Sequence, residues 1–361
     1  MTTKPVFASD FGAARNYFLD AAHEALAEVA SYKHPLRGPD DEPLTTDVAW
    51  LGRKDAPRVL VMVSGAHGVE GYCGSGAQVD WLRRKEGDRL PKEVAALLIH
   101  AINPYGFAWS RRVTDENVDL NRNWIDFSAP LPKSAGYDDI ADLVAPVEWN
   151  ESSRGRLYAG AKAYDDNKGG RAFQKAVAGG QYTHPNGLFY GGTKPTWSRE
   201  TLTTIFKERL SHAESVGIID YHAGLGPWGY GELISTAAAD SPSFVRAREW
   251  YGERAVTTAA PGQAAATALD GDWVGAAPKL LNGVTVTGIA IEFGTLEVPQ
   301  VLDALVADNW LHAHGVIDSP EGRAIKAQLR AAFYPDSDIW RGMILGQSLV
   351  ACRQAAAGLK R

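Results

Sequence analysis

The sequence predicts an α/β protein built in three layers, α/β/α, around a mixed, mostly parallel sheet. Short apolar runs alternate with segments of helical period, the rhythm of strand, crossover helix and strand. Three polar clusters, SGAHGVEGYCG, IIDYHAG and GIAIEFGT, each sit at the end of such a run, where open α/β sheets build their sites. At 361 residues and 45% apolar composition, the chain can bury a core without disulfide or metal staples.

The elements follow in order. Ser9 or Asp10 can cap a long amphipathic helix over 11–30, because a side-chain oxygen there satisfies free N–H groups of the first turn. Strands follow at 48–52 and 58–64, the second running into a glycine-rich turn, and then a helix with small residues over 74–85. Residues 95–103 read as another buried strand, which Asn103-Pro104 interrupts. From 128 to 194 Pro, Gly, Asp and Ser are frequent, and the apolar period is weak apart from a helix around 154–167. That segment reads as an insertion near the site, a lid or partner surface, not a second domain. Regular patterns resume with a helix over 198–213, strands over 216–224 and 284–295, and helices over 298–357. One domain over 1–361 is therefore expected. No repeat is visible, and the alanine-rich stretch 259–268 comes nearest to low complexity.

Composition narrows the function classes. A formal net charge of -6 argues against a general nucleic-acid binder, which carries a basic face. Cys73 and Cys352 make no disulfide framework and no cysteine-based zinc site, so two reduced, buried thiols are expected. The first residues lack the apolar core of a signal peptide and no later segment reaches the length of a membrane span; a cytoplasmic protein without membrane partners is the expectation. A homo-oligomer stays open.

The clusters carry the chemistry. His67 and Glu70 are separated by two residues on a glycine-rich loop, and an imidazole and a carboxylate so spaced can turn toward one ion of the zinc type. Such a pair alone is common by chance. Adding His222, at the end of an apolar strand, makes a two-histidine, one-carboxylate set with room for water, the layout of catalytic zinc. Asp220 shares a strand face with His222 and either orients it or is simply a paired carboxylate. Glu292 lies in a nearly continuous apolar strand, where a carboxylate is costly unless paired. It is either half of a buried salt bridge or a general base tuned by burial. The segment NPYGFAWSRRVTDENVDLNRNW adds Arg111, Arg112, Asn121 and Arg122. An Asn-Arg pair can grip a carboxylate, and a further arginine can stabilise an oxyanion. His23, His34, His100, His184, His212, His312 and His314 show no partner pattern.

Taken in order, H-x-x-E, NP-x-GF, D-L-N-R-N, a lone strand-end histidine and E-F-G-T, the motifs over roughly 58–296 resemble the zinc carboxypeptidase (M14) superfamily. The resemblance is strongest to a compact bacterial, DUF2817-type branch related to the aspartoacylase and succinylglutamate desuccinylase group. It implies one zinc per chain held by His67, Glu70 and His222, with Glu292 as the catalytic glutamate. It also implies that Asn121 and Arg122 bind a substrate carboxylate, and that Arg112 or Arg111 polarises the carbonyl, Arg112 fitting the interval to DLNR better. The expected activity is hydrolysis of an amide next to a free carboxylate, in a small peptide or an N-acyl amino acid. An aspartoacylase-like deacylase is the alternative within enzymes, and an inactive zinc-binding scaffold the alternative outside them. The chain departs from true carboxypeptidases in having no tyrosine between Tyr251 and Glu292; Asp270, Asp272 or Trp273 are candidates to line the pocket instead. The pocket walls are expected to come partly from the insertion and partly from 259–283.

Overall fold

The computed structural model describes residues 5–134, 136–258 and 271–360. Asp10 accepts a hydrogen bond from the Ala13 N–H and starts α1 (Phe11–Glu24). The helix ends at Glu24 and does not reach residue 30. Leu26 takes φ 58°, and β1 (Glu28–Arg37) follows as an edge strand antiparallel to β2 (Pro43–Leu51). Strand pairing overrides the helical pattern here, and Pro35 is tolerable only on an edge.

β3 (Arg58–Val63), α2 (Gly71–Arg83) and β4 (Val94–His100) form the first strand–helix–strand unit, followed by the short α3 (Pro104–Ala108). The segment 128–194 is more helical than its composition suggests, with α4 (Ala141–Val144), α5 (Glu151–Lys168) and α6 (Ala172–Ala178). Next come α7 (Trp197–Leu210), β5 (Ser215–Trp228) and β6 (Gly231–Ser235). They lead to α8 (Pro242–Tyr251), β7 (Val256–Thr258) and α9 (Trp273–Leu280). The chain continues through β8 (Thr285–Gly294), α10 (Val298–His314), α11 (Pro320–Phe333) and α12 (Asp338–Leu359). β6, β7 and α8 were not legible beforehand; the two strands are short, and their apolar faces are incomplete.

The eight strands lie in the order β1-β2-β4-β3-β5-β8-β6-β7. β4, β3, β5 and β8 are mutually parallel, as are β6 and β7, while β1, β2 and β6 meet their inner neighbours antiparallel. Phe18, Leu60, Met62, Tyr221, Ile291 and Trp340 belong to the apolar layer on one sheet face; Val59, Val61, Phe206 and Trp273 belong to the layer on the other. The expected three-layer α/β/α arrangement forms. A third apolar cluster joins Tyr137, Leu157, Phe173 and Val177 of the insertion to Val301, Leu305, Leu329 and Phe333 of α10 and α11. Both cysteines are buried and free. Among the described residues no helix is long and apolar enough to cross a membrane.

Candidate active site

The site sits toward the carboxyl ends of β3, β5 and β8, three adjacent parallel strands; β5 runs on past His222 to Trp228, so that histidine lies within the strand and not at its end. The chain leaves β3 through Gly65, whose φ of +69° suits a residue without a side chain, and His67 and Glu70 follow. Gly68 is required by space: a Cβ there would lie 1.9 Å from the Gly106 carbonyl carbon. The NP-x-GF motif thereby gains a structural meaning. Asn103 caps α3 by accepting from Gly106 N–H, and Pro104 takes the first helical turn. Gly106 then packs on the H-x-x-E loop. The loop is also pinned by Gly68 and Val69, which donate to the carbonyls of Arg112 and Arg111 at 3.1 and 2.7 Å.

His222 and Glu292 are register partners on β5 and β8. They therefore stand side by side on one face of the sheet. His222 Nδ1 lies 2.9 Å from Glu70 Oε2, and His67 Nδ1 lies 3.0 Å from Glu70 Oε1. Each imidazole is held from behind by its other nitrogen: His67 Nε2 by Asp119 at 3.1 Å, and His222 Nε2 by Asp220 at 2.6 Å. Asp220 in turn accepts from Trp273 Nε1 at 2.6 Å. Carboxylates in this outer position set the tautomer of metal-binding histidines and aim the front nitrogen.

One ligand atom from each of His67, Glu70 and His222 falls within a 4.8 Å cluster. His67 Nδ1 has no hydrogen-bond partner, although it stands at ion-pair distance from Glu70. The contact is close but not aligned for a hydrogen bond. A buried, orphaned imidazole nitrogen beside a carboxylate and a second front-facing imidazole suits a divalent cation of the zinc type.

Two buried glutamates diverge here. Burial alone would raise the Glu70 carboxyl, but His67 and His222 hold it below the usual carboxylate range. Burial, reinforced by the Glu70 charge, pushes the Glu292 carboxyl up to about 7. Glu292 Oε1 accepts from Leu225 N–H at 3.0 Å. It is not half of a salt bridge among the described residues. Carboxyl groups whose environments push them apart in this way mark acid–base sites.

The adjacent arginines separate. Arg112 donates to Asp119 Oδ2 and Glu70 Oε1, both at 2.9 Å, and faces the histidines. Arg111 points away to Asp308 on α10, at 3.3 Å, and to Asn117. Asp119, which sequence reasoning did not single out, joins His67, Arg112 and the Asn121 N–H. Its signal was the first letter of D-L-N-R-N, a position read only as part of the motif. Arg122 is buried at 2% exposure; it donates to the carbonyls of Asn121 and Ala178, and its Nε has no partner among the described residues. Phe189, from the insertion, lies under both guanidinium groups, 5.0 Å from that of Arg112 and 5.3 Å from that of Arg122.

These groups line a cavity of about 250 Å³. Its polar side includes His67, Arg112, Asn121, Arg122, His222 and Glu292, and its apolar side is drawn from the insertion, α10 and α11. Asp272 lines it as well, while Trp273 turns beneath it to hold Asp220. Asp270 lies outside the described residues.

Three solved structures are similar at low identity. Carboxypeptidase A from Helicoverpa armigera is 13% identical, with 90% of this chain and 73% of that chain covered and a TM-score of 0.45. Bovine thrombin-activatable fibrinolysis inhibitor is 12% identical, with 95% and 97% covered and a TM-score of 0.45. An aspartoacylase family protein from Mesorhizobium loti is 15% identical, with 81% and 68% covered and a TM-score of 0.38. No curated protein matches the chain. Residues 7–347 match the family described as "Protein of unknown function (DUF2817)", and the chain belongs to that family.

Proposed function

We propose that this protein is a zinc-dependent hydrolase that cleaves an amide next to a free carboxylate in a small peptide or N-acyl amino acid. The observation that carries the reading is the convergence of His67 Nδ1, His222 Nδ1 and Glu70, each imidazole backed by a carboxylate, beside a buried Glu292 in one cavity. His67, Glu70 and His222 would hold one zinc per chain. Bound there, zinc would supply a Lewis acid that polarises a carbonyl and acidifies water near neutral pH.

The chain's own groups do the rest. Glu292 takes a proton from the attacking water at a carboxylate oxygen and delivers it to the amide nitrogen as the C–N bond breaks. Arg112 donates N–H groups to the oxyanion that develops on the carbonyl oxygen. Asp119 keeps the Arg112 guanidinium in place, so that little reorganisation is needed. Arg122 and Asn121 bind the substrate carboxylate and orient the bond. Arg111 holds the loop and takes no part in the chemistry. In this reading residues 1–361 form one domain, with 128–194 inserted to complete the cavity wall.

Metal content tests the proposal. Elemental analysis of the purified protein should find about one zinc per chain, and His222→Ala should lose it. Zinc retained without His222, or no bound metal in either protein, removes the reading.

A further inference from the structure

We infer that the amide taken by this site carries one carboxylate and a bulky, uncharged apolar substituent, and not a second carboxylate. This rests on the hydrolase reading and narrows it, because the aspartoacylase-like and desuccinylase-like alternatives need substrates with two or more carboxylates.

The charge inventory of the cavity carries the first half. Four basic side chains line it: His67, Arg112, Arg122 and His222. Arg112 is held by Asp119 and Glu70 and its remaining N–H groups are taken by the oxyanion, and both imidazoles stand between carboxylates. Arg122 is the least tightly held: it bonds to backbone carbonyls, stands 3.6 Å from Asp119, which it shares with Arg112 and His67, and its Nε is unpartnered among the described residues. The acidic lining groups are Asp220, Asp272 and Glu292. A second carboxylate would lose its water with no further cation to meet it among the described residues and with like charges nearby.

The apolar wall carries the second half. Phe173, Val177, Phe189, Val301, Leu305 and Phe333 line the cavity and are each less than a tenth exposed. The wall reaches the reacting centre from two directions. A Cβ placed on Gly224 would lie 2.9 Å from the Phe333 ring and 3.6 Å from Glu292 Oε1, so that ring adjoins the general base. Phe189 underlies both arginines. An apolar group covering this wall sheds its water with no polar partner lost.

Two pairs of compounds test the inference: N-hexanoylglycine against N-succinylglycine, and N-acetylphenylalanine against N-acetylaspartate. Each is assayed for hydrolysis by the zinc-loaded enzyme and titrated by calorimetry into zinc-loaded Glu292→Gln. The apolar member should bind at least about tenfold tighter in one pair, since each buried methylene adds roughly three- to fourfold, and the dicarboxylate should be preferred in neither. Leu305→Lys, which sets a cation in the apolar wall, should move the order toward the dicarboxylates; the half-buried Leu302→Lys makes the same test should the first variant fail to fold. A dicarboxylate that binds more tightly than its apolar partner in either pair in the unaltered pocket, an apolar advantage of less than about tenfold in both pairs, or no measurable binding of any of the four overturns the inference. Apolar preference in binding with no hydrolysis of any compound would sustain it and remove the hydrolase reading instead.

Discussion

The two sides of the cavity are built by different rules. The polar side comes from short contiguous motifs toward the ends of β3, β5 and β8, where buried charges are held in place by other charges: His67 by Asp119, His222 by Asp220, Arg112 by Asp119 and Glu70. The apolar side is assembled from α6, α10, α11 and the Phe189 turn, segments remote in sequence that share one apolar cluster. Charged groups need directional partners at hydrogen-bond distance, which restricts residue type at each position. Apolar walls need only volume and burial, and many sequences satisfy that. The polar side is therefore where function should break with little loss of stability, and the apolar side where stability and selectivity should break together.

The largest effect expected from this contrast is at Glu292. Glu292→Gln keeps the shape of the side chain but cannot accept the proton, so kcat should fall by about 10³–10⁴-fold. Zinc content and the urea unfolding midpoint should stay close to those of the native chain. Near-native turnover would take Glu292 out of the mechanism.

Phe333→Ala is the counterpart on the apolar side. The ring is 2% exposed, and its removal should cost about 3 kcal/mol of stability, the low end for a buried aromatic because one face borders the cavity. The urea midpoint would fall while zinc stays bound. A loss of zinc with unchanged stability would invert the contrast between the two sides.

The smallest effect concerns pH, and two buried histidines outside the cavity lining supply it. Burial lowers His100, stacked on Phe18 behind the sheet, to about 4. Burial, with Arg111 and Lys326 adding to it and Asp308 opposing, lowers His312 behind the apolar wall to about 3. Both are neutral when folded, whereas in the unfolded chain they take up protons below the ordinary histidine value. Their contribution is therefore intact above about pH 6.5 and lost as pH falls toward the folded values. Each should cost about 2 kcal/mol of stability between pH 7 and pH 5. His312→Gln should remove its share of that loss in urea unfolding at the two pH values; an identical loss in variant and native chain would place the effect elsewhere.

Much of the polar side was legible from residue types and spacing. His67, Glu70, His222 and Glu292 end apolar runs, and a parallel α/β sheet sends the ends of such runs to one edge. Asp220 was legible as well, because alternation along a strand puts it on the face of His222. The partner of His67 was not, because Asp119 reaches it across a loop with no periodicity. Arg111 and Arg112 could not be told apart for the same reason: adjacent residues on irregular backbone have no fixed face, and only the bond between Arg111 and Asp308 on α10 shows which one turns away. The end of α1 was misjudged because the pairing of β1 with β2 is a contact across the chain, which outweighs a local helical pattern.

By itself, then, the sequence determined the fold class, a mixed and mostly parallel sheet between helices, and the identity of the groups that cluster at the strand ends. Periodicity and burial act locally, and residue chemistry travels with the residue. Only the tertiary structure decided which arginine faces the histidines, which carboxylate stands behind each imidazole, and that the insertion closes the cavity with an apolar wall. Those outcomes depend on distances between segments far apart in the chain, set by packing of the whole molecule.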